Sequence, residues 1–199
     1  MRRPAMPQVL LSPPRLLRHA AALAASLWCA AASAQVDPHA LYPHYRDTRI
    51  IYYDVDGETP WDVVRRMGSR GPIAFDGGHV DGQTQWNISW ELLEERDGRC
   101  IARTSLATSV TLPRLVGGRG FTDAEWSAWD QFIWALIDHE FGHVAIAHSA
   151  FAELEDALAE GSCAGAHDRA ETVLSRAQWQ QVRYDRETRH GQLTGVRFP

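Results

Sequence analysis

The sequence has 199 residues, with 20 basic and 25 acidic side chains, a formal net charge of −5 and 45% hydrophobic residues. This length allows one domain with a substantial core. The acidic balance argues against nucleic acids and anionic membrane surfaces as partners.

The first 34 residues have the three parts of a secretory signal peptide. Four arginines precede an apolar run over residues 20–32, and Ala32-Ser33-Ala34 provides a cleavage site of the A-x-A type. The run is too short to be a stable membrane span. We therefore predict a cleaved signal peptide over residues 1–34 and a periplasmic or secreted mature domain over residues 35–199, with no membrane span. The mature chain keeps 16 arginines against 25 acidic residues, a net charge of −9.

The first part of the mature chain predicts a lead-in, a strand and a short helix. Residues 35–48 are rich in Pro, His and Tyr and have no hydrophobic period, which favours a mobile segment. Residues 49–55 are β-branched and aromatic, as is typical of a strand. Thr59-Pro60 is a helix-start signal, and we expect that helix to end near Gly68.

A β hairpin is predicted next. Apolar and polar side chains alternate from Thr84 to Leu92, which gives the strand one apolar and one wet face. Asp97-Gly98 is a strong signal for a tight turn. The return strand is expected over residues 100–112, with Pro113 as its end.

Two helices complete the chain. The capping box Thr122-Asp123-Ala124-Glu125 begins the longest helical pattern. This pattern reaches Gly161, so we expect a kink or break after His148-Ser149. A last helix is predicted over about residues 166–182, followed by a polar tail. The elements together predict an α+β fold, with the hairpin packed on the long helix and the C-terminal helix.

Two cysteines remain in the mature chain, Cys100 and Cys163. In an exported protein an isolated pair of this kind is most simply a disulfide. Two buried free thiols are the alternative. We predict the disulfide, which would tie the hairpin to the segment that follows the long helix.

The long helix contains the sequence His-Glu-Phe-Gly-His at residues 139–143. Four residues return a helix to within about 40° of the same face, so His139 and His143 can bind one metal ion. The two histidines continue a core-facing apolar stripe with the i, i+4, i+7 spacing. Buried polar groups need partners, and a metal satisfies all of them at once. Gly142 costs helix stability, which suggests that a strand or a substrate passes close to it.

This pattern predicts a zinc hydrolase, and on the long helix of an α+β domain it predicts a zincin-like fold. Two imidazoles, one further N or O donor and an open water position describe catalytic zinc. Glu140 is then the general base that takes a proton from the zinc-activated water and returns it to the leaving amine.

The third ligand is not fixed by the spacing. His148 lies about 140° around the helix from His143 and about 180° from His139, which excludes it from the same ion. The acids Glu153, Glu155, Glu160 and Glu171 remain open, although helix acids are usually solvated. The run from Tyr184 to Gly191 contains a phenol, a carboxylate, a hydroxyl and an imidazole, but on its own it is typical of a polar tail.

The chain resembles a bacterial family of exported proteins of unknown function that are described as zinc-dependent proteases. The resemblance rests on motifs in the family's order: Tyr52-Tyr53-Asp54-Val55, Gly57, Thr59, Gly71-Pro72, Gly82-Gln83-Thr84, Trp86, Trp90, Gly98, Cys100, Leu112-Pro113, Trp129, His139-Glu140, Gly142-His143, Tyr184-Asp185, Thr188 and His190-Gly191. It covers nearly all of the mature chain.

The resemblance makes the C-terminal run a family motif and implies a zinc peptidase. On that basis His190 is the expected third ligand, Asp185 the second choice and Glu171 the third, while Tyr184 is expected to donate a hydrogen bond to the oxyanion. The expected substrate is a peptide or protein of the cell envelope. Two alternatives remain: an envelope zinc-binding protein without catalysis, and an amidase that acts on cell-wall peptides.

Overall fold

The computed structural model describes residues 35–75 and 77–199, and the predicted signal peptide lies outside this part of the chain. The described elements, in chain order, are α1 (Pro38–Leu41), β1 (Arg49–Val55), α2 (Pro60–Arg70), β2 (Gln83–Arg96), β3 (Arg99–Leu115), α3 (Asp123–Ala159) and α4 (Ala166–Thr188), with short 3₁₀ helices at Pro43–Tyr45, Cys163–Gly165 and Gln192–Thr194. The mixed α+β class is as predicted. Among the described residues, no helix has the length and apolar composition needed to cross a membrane.

The sheet has three strands in the order β1-β3-β2. Strands β2 and β3 form the predicted antiparallel hairpin, and β1 pairs with β3 in parallel. Asp97 and Gly98 connect the hairpin with φ values of 53° and 73°, as a tight two-residue turn requires.

Pro113 does not end the return strand, contrary to the sequence-based expectation. Strand β3 continues to Leu115, and Pro113 pairs with Tyr53 of β1. The pairing with β2 stops at Thr111, so Pro113 has a neighbouring strand on one side only. A missing N–H is tolerated at such a position.

The lead-in predicted as mobile is packed against the domain. Tyr42 stacks on Phe141 with ring centroids 4.4 Å apart, and its hydroxyl donates to Asp138. The buried hydroxyls of Thr48 and Thr108 lie 2.7 Å apart and share a hydrogen bond. The tyrosines that make the segment look aperiodic are therefore the side chains that anchor it.

Helix α3 begins at the predicted capping box, in which Thr122 and Glu125 bond each other's backbone N–H groups. The expected break after His148-Ser149 is absent, and the helix continues unbroken to Ala159. Its first half packs on the sheet and α2, and its second half packs on α4 and β2. Because Ala150 and Leu154 are buried against those elements, the second half stays aligned with the first.

Helix α4 packs along α3 and is longer than predicted. It runs from Ala166 to Thr188, so the supposed polar tail forms its last turns and its cap. Cys100 and Cys163 form the predicted disulfide, which ties the start of β3 to the segment just before α4. The helix that faces the His-Glu-His motif is thus covalently tied to the hairpin.

Candidate metal centre

Helix α3 presents its two motif histidines from a buried face. His139 is 4% exposed, and the side chain of His143 is 12% exposed. Their ring centroids are 4.9 Å apart, as expected for residues four apart on one side of a helix. Both Nε2 atoms point towards α4.

Helix α4 brings a carboxylate to these two nitrogens. Asp185 Oδ1 lies 3.3 Å from His139 Nε2 and 3.0 Å from His143 Nε2. Within the described part of the chain, these three residues form a group whose ligand atoms all lie within 4.8 Å of one another. With bond lengths near 2.0–2.1 Å, neighbouring ligand atoms of a tetrahedral zinc site are about 3.3 Å apart. The separations of 3.3 Å and 3.0 Å between Asp185 and the two histidines therefore fit a zinc ion.

Gln181 contacts both the backbone carbonyl and the ring of His143. The side-chain Nε2 of Gln181 donates to the backbone carbonyl of His143 at 3.1 Å, so its Oε1 faces His143 Nδ1 at 2.5 Å. Oε1 can only accept, so Nδ1 carries a proton. In the neutral ring, Nε2 then has a lone pair that faces an oxygen of Asp185. Two acceptors at this distance need a proton or a metal ion between them. A proton on Nε2 makes the His143 ring cationic, whereas one metal ion can bind the Nε2 atoms of both histidines.

The charges of the site favour the same conclusion. Burial by itself raises the pKa of Asp185, but hydrogen bonds to His139 and His143 hold that pKa far below its usual range. Burial lowers the pKa of His143, but its hydrogen bonds to Asp185 and Gln181 outweigh burial and raise it. Asp185 is thus ionised beside the buried Glu140 carboxyl, and a divalent cation compensates negative charge in a place where water cannot.

The ring of His139 is held by packing. Tyr184 stacks on it with ring centroids 5.1 Å apart and an interplanar angle of 12°. On another side lies Gly191, where an added Cβ would be 3.0 Å from His139 Cγ and 2.4 Å from Val196 Cγ2. Among the described residues, His139 Nδ1 is buried without a hydrogen-bond partner. Only glycine fits at position 191, where φ is also positive at 75°.

Glu140 is held by the start of β2. Thr84 Oγ1 donates to Glu140 Oε2 at 2.7 Å. Gly82 lies beside the other carboxylate oxygen, since an added Cβ there would be 3.0 Å from Oε1. Glu140 is 4% exposed, and burial raises its pKa by more than the hydrogen bond from Thr84 and the charges of the two histidines lower it.

Gly142 makes room for a side chain of α4. An added Cβ would lie 2.2 Å from the hydroxyl oxygen of Tyr184, which is far inside contact distance. The neighbour at Gly142 is therefore the Tyr184 phenol, and not the strand or substrate that the sequence suggested.

The C-terminal motif forms the cap of α4. Thr188 Oγ1 donates to the carbonyl of Tyr184 at 2.8 Å and accepts from the N–H of Gly191 at 3.2 Å. The N–H of His190 donates to the carbonyl of Asp185 at 2.8 Å. Arg189, His190 and Gly191 all have positive φ, which turns the chain back towards His139.

His190, the expected third ligand, lies at the edge of the centre. Its Nδ1 is 3.5 Å from Asp185 Oδ1, and its side chain is 79% exposed. It is not in the group that could hold a metal, whereas Asp185, the second choice, is. Glu171, the third choice, pairs with His167 at 3.8 Å on an exposed part of α4.

Sequence reasoning missed Thr84 and Gln181. Gln181 carried a detectable signal, because it continues the buried stripe Ala170, Val173 and Ala177 of α4 with a polar side chain. Thr84 belonged to the family resemblance but pointed to no role in the site, since a threonine in an alternating strand is ordinary.

Comparison with known proteins gives a family and no activity. No curated protein and no solved structure matches the chain. A family match covers residues 50–191, from the second residue of β1 to the glycine beside His139. It therefore includes all three residues that could hold a metal ion. The family's description gives no activity, so a peptidase remains a prediction. The protein belongs to the family described as bacterial protein of unknown function (DUF922).

Proposed function

We propose that this protein is an exported zinc-dependent peptidase of zincin-like type. In this proposal His139, His143 and Asp185 hold the metal, and Glu140 is the general base. The observation that supports it is the convergence of two imidazole nitrogens and one carboxylate oxygen beside a second, buried carboxyl group.

The donor set favours catalytic zinc. Two imidazoles and one carboxylate are the protein ligands of many zinc hydrolases, in which the fourth position takes water or substrate. When bound in such a site, zinc acts as a Lewis acid and lowers the pKa of water towards neutrality. Asp185 takes the place of His190 in the proposed ligand set because it lies close to both Nε2 atoms.

Glu140 has the properties of a general base. Burial raises its pKa towards neutrality, where a base is most effective. Thr84 fixes one carboxylate oxygen, and the absent side chain at Gly82 leaves space beside the other. In hydrolysis, the water oxygen bonds to the carbonyl carbon and the C–N bond breaks. Glu140 takes the proton from the water and transfers it to the leaving nitrogen.

Tyr184 is the proposed donor to the oxyanion. Burial raises its pKa, and the charges of Asp138, Glu140 and Asp185 raise it further. The phenol is therefore protonated at neutral pH and can donate a hydrogen bond where negative charge develops. Its stacking on His139 keeps it at the metal centre.

Export is supported by the disulfide, which is typical of oxidising compartments. The proposed substrates are accordingly peptides or proteins of the cell envelope.

One observation favours the alternative of a zinc-binding protein without catalysis. Glu140 is only 4% exposed, so a substrate needs an opening at the site to reach it. In that alternative the ion would be purely structural and Glu140 would be inert.

The variant Glu140→Gln tests the proposal, with Glu171→Gln on the exposed part of α4 as the matched control. Each protein is loaded with zinc, its zinc content is measured, and hydrolysis of casein, a peptide mixture and soluble cell-wall fragments is followed. Wild type and control should bind one zinc and hydrolyse a peptide bond, whereas Glu140→Gln should bind zinc and lose at least about a hundredfold in rate. Equal rates for the variant and wild type contradict the role of Glu140. Zinc binding without cleavage of any substrate favours the non-catalytic alternative, and cleavage confined to cell-wall fragments favours the amidase.

A further inference from the structure

Gln181 is a buried polar residue that the proposed reaction does not use directly. It is 7% exposed and lies on the face of α4 that packs against α3. Both polar atoms of its amide form hydrogen bonds with the same residue, His143. Nε2 donates to the backbone carbonyl of His143, and Oε1 accepts from its ring. A buried amide used only to fill space would not need to match both groups of a single histidine.

The backbone carbonyl fixes the orientation of the amide. A carbonyl can only accept, so the NH₂ group of Gln181 must face it and the oxygen must face the ring. The reverse orientation would bring two oxygens together at 3.1 Å, which is repulsive, and the amide NH₂ would lose its acceptor. The tautomer of His143 thus follows from a backbone group that cannot change its role.

We propose that Gln181 is a positioning residue that holds His143 in the Nδ1–H tautomer and thereby selects Nε2 as its metal-binding atom. That the metal is zinc rests on the proposed function. Asp185 lies four residues further along the same face of α4, and its oxygen is 3.0 Å from that Nε2. One face of one helix therefore supplies both a ligand and the group that aims a second ligand.

A glutamine suits this position better than a glutamate. A carboxylate could also accept from Nδ1, but it could not donate to the backbone carbonyl of His143. It would also add a third carboxylate beside Asp185 and Glu140. A divalent cation balances the charge of only two carboxylates.

The test compares Gln181→Leu and Gln181→Glu, with Gln180→Leu on the adjacent exposed residue of α4 as control. The tautomer of His143 is read from its ¹H–¹⁵N correlations in the metal-free protein, at an alkaline pH at which the ring is neutral, and zinc affinity is measured by competition with a chelator. Wild type and control should show Nδ1–H. Gln181→Leu should shift the ring towards Nε2–H and bind zinc about 10- to 100-fold more weakly. Gln181→Glu retains the acceptor and should keep the Nδ1–H tautomer.

Gln181→Leu with an unchanged tautomer and unchanged zinc affinity would overturn the inference. Thermal unfolding shows which variants are folded. If Gln181→Leu does not fold, Gln181→Glu becomes the test, and loss of its Nδ1–H tautomer would overturn the inference. The tautomer readout needs no metal, so a wild-type protein that binds no zinc or cleaves nothing refutes the proposed function separately.

Discussion

Replacing Asp185 with asparagine tests which residue completes the metal centre. The change preserves the shape of the side chain but removes the charge of the oxygen that lies 3.3 Å and 3.0 Å from the two histidine nitrogens. Four-ligand zinc sites bind with about 10–16 kcal/mol, or roughly 2.5–4 kcal/mol for each ligand. Loss of one ligand should therefore weaken zinc binding by roughly 100- to 1,000-fold.

The assay is a competition titration with a chromophoric zinc chelator at pH 7.5, with His190→Ala measured beside Asp185→Asn. His190 is 79% exposed and outside the group of three, so its removal should change the affinity by less than about threefold, as for a surface substitution. The reverse result, with a large loss for His190→Ala and a small one for Asp185→Asn, would refute the assignment of Asp185 and support the prediction made from the sequence.

Three further predictions concern pH, the disulfide and a glycine. Because the pKa of His143 is raised, its protonated ring stabilises the metal-free protein at pH values below the usual histidine pKa of 6.5. This stabilisation is lost as pH rises through the raised pKa. Zinc binds the neutral ring, so the increase in Tm caused by zinc should grow from about pH 6 to about pH 8, and a constant increase would contradict this. Reducing the disulfide, which closes a loop of 63 residues, should lower the free energy of unfolding in urea by about 4 kcal/mol, and equal urea midpoints would refute it. Gly142→Ala should displace Tyr184 and destabilise the protein by about 1–3 kcal/mol. Gly68→Ala, at a position where nothing lies within 4 Å of the added Cβ, should stabilise it by up to about 1 kcal/mol. Changes of the same sign in the free energy of unfolding of both variants would contradict the packing described.

Local signals in the sequence predicted the beginnings of elements better than their ends. The capping box at Thr122 begins α3, and Asp97-Gly98 forms the hairpin turn. Helix α4 continues past Val182, where its last turns contact α3 through Tyr184 and Asp185, and sequence periodicity does not include such contacts. Tertiary packing likewise keeps α3 continuous where its length suggested a break.

The part of the candidate site that lies on helix α3 could be predicted from the sequence. The spacing of His139 and His143 fixes their common side from sequence alone. The choice between Asp185 and His190 depends on how α4 lies against α3, and the two residues are only five apart in sequence. The helical turn that contains Asp185 faces the histidines, whereas His190 comes after the helix has ended, in a cap that leaves its ring in solvent.

The proposed function depends on the assignment of His139, His143 and Asp185 as ligands of one zinc ion. Anomalous X-ray diffraction at the zinc edge, from crystals of the zinc-loaded protein, locates the ion. Under this assignment we expect one strong peak, about 2.0–2.2 Å from the Nε2 atoms of both histidines and from a carboxylate oxygen of Asp185. A peak bound by His190 in place of Asp185, or zinc found only elsewhere on the protein, would contradict it.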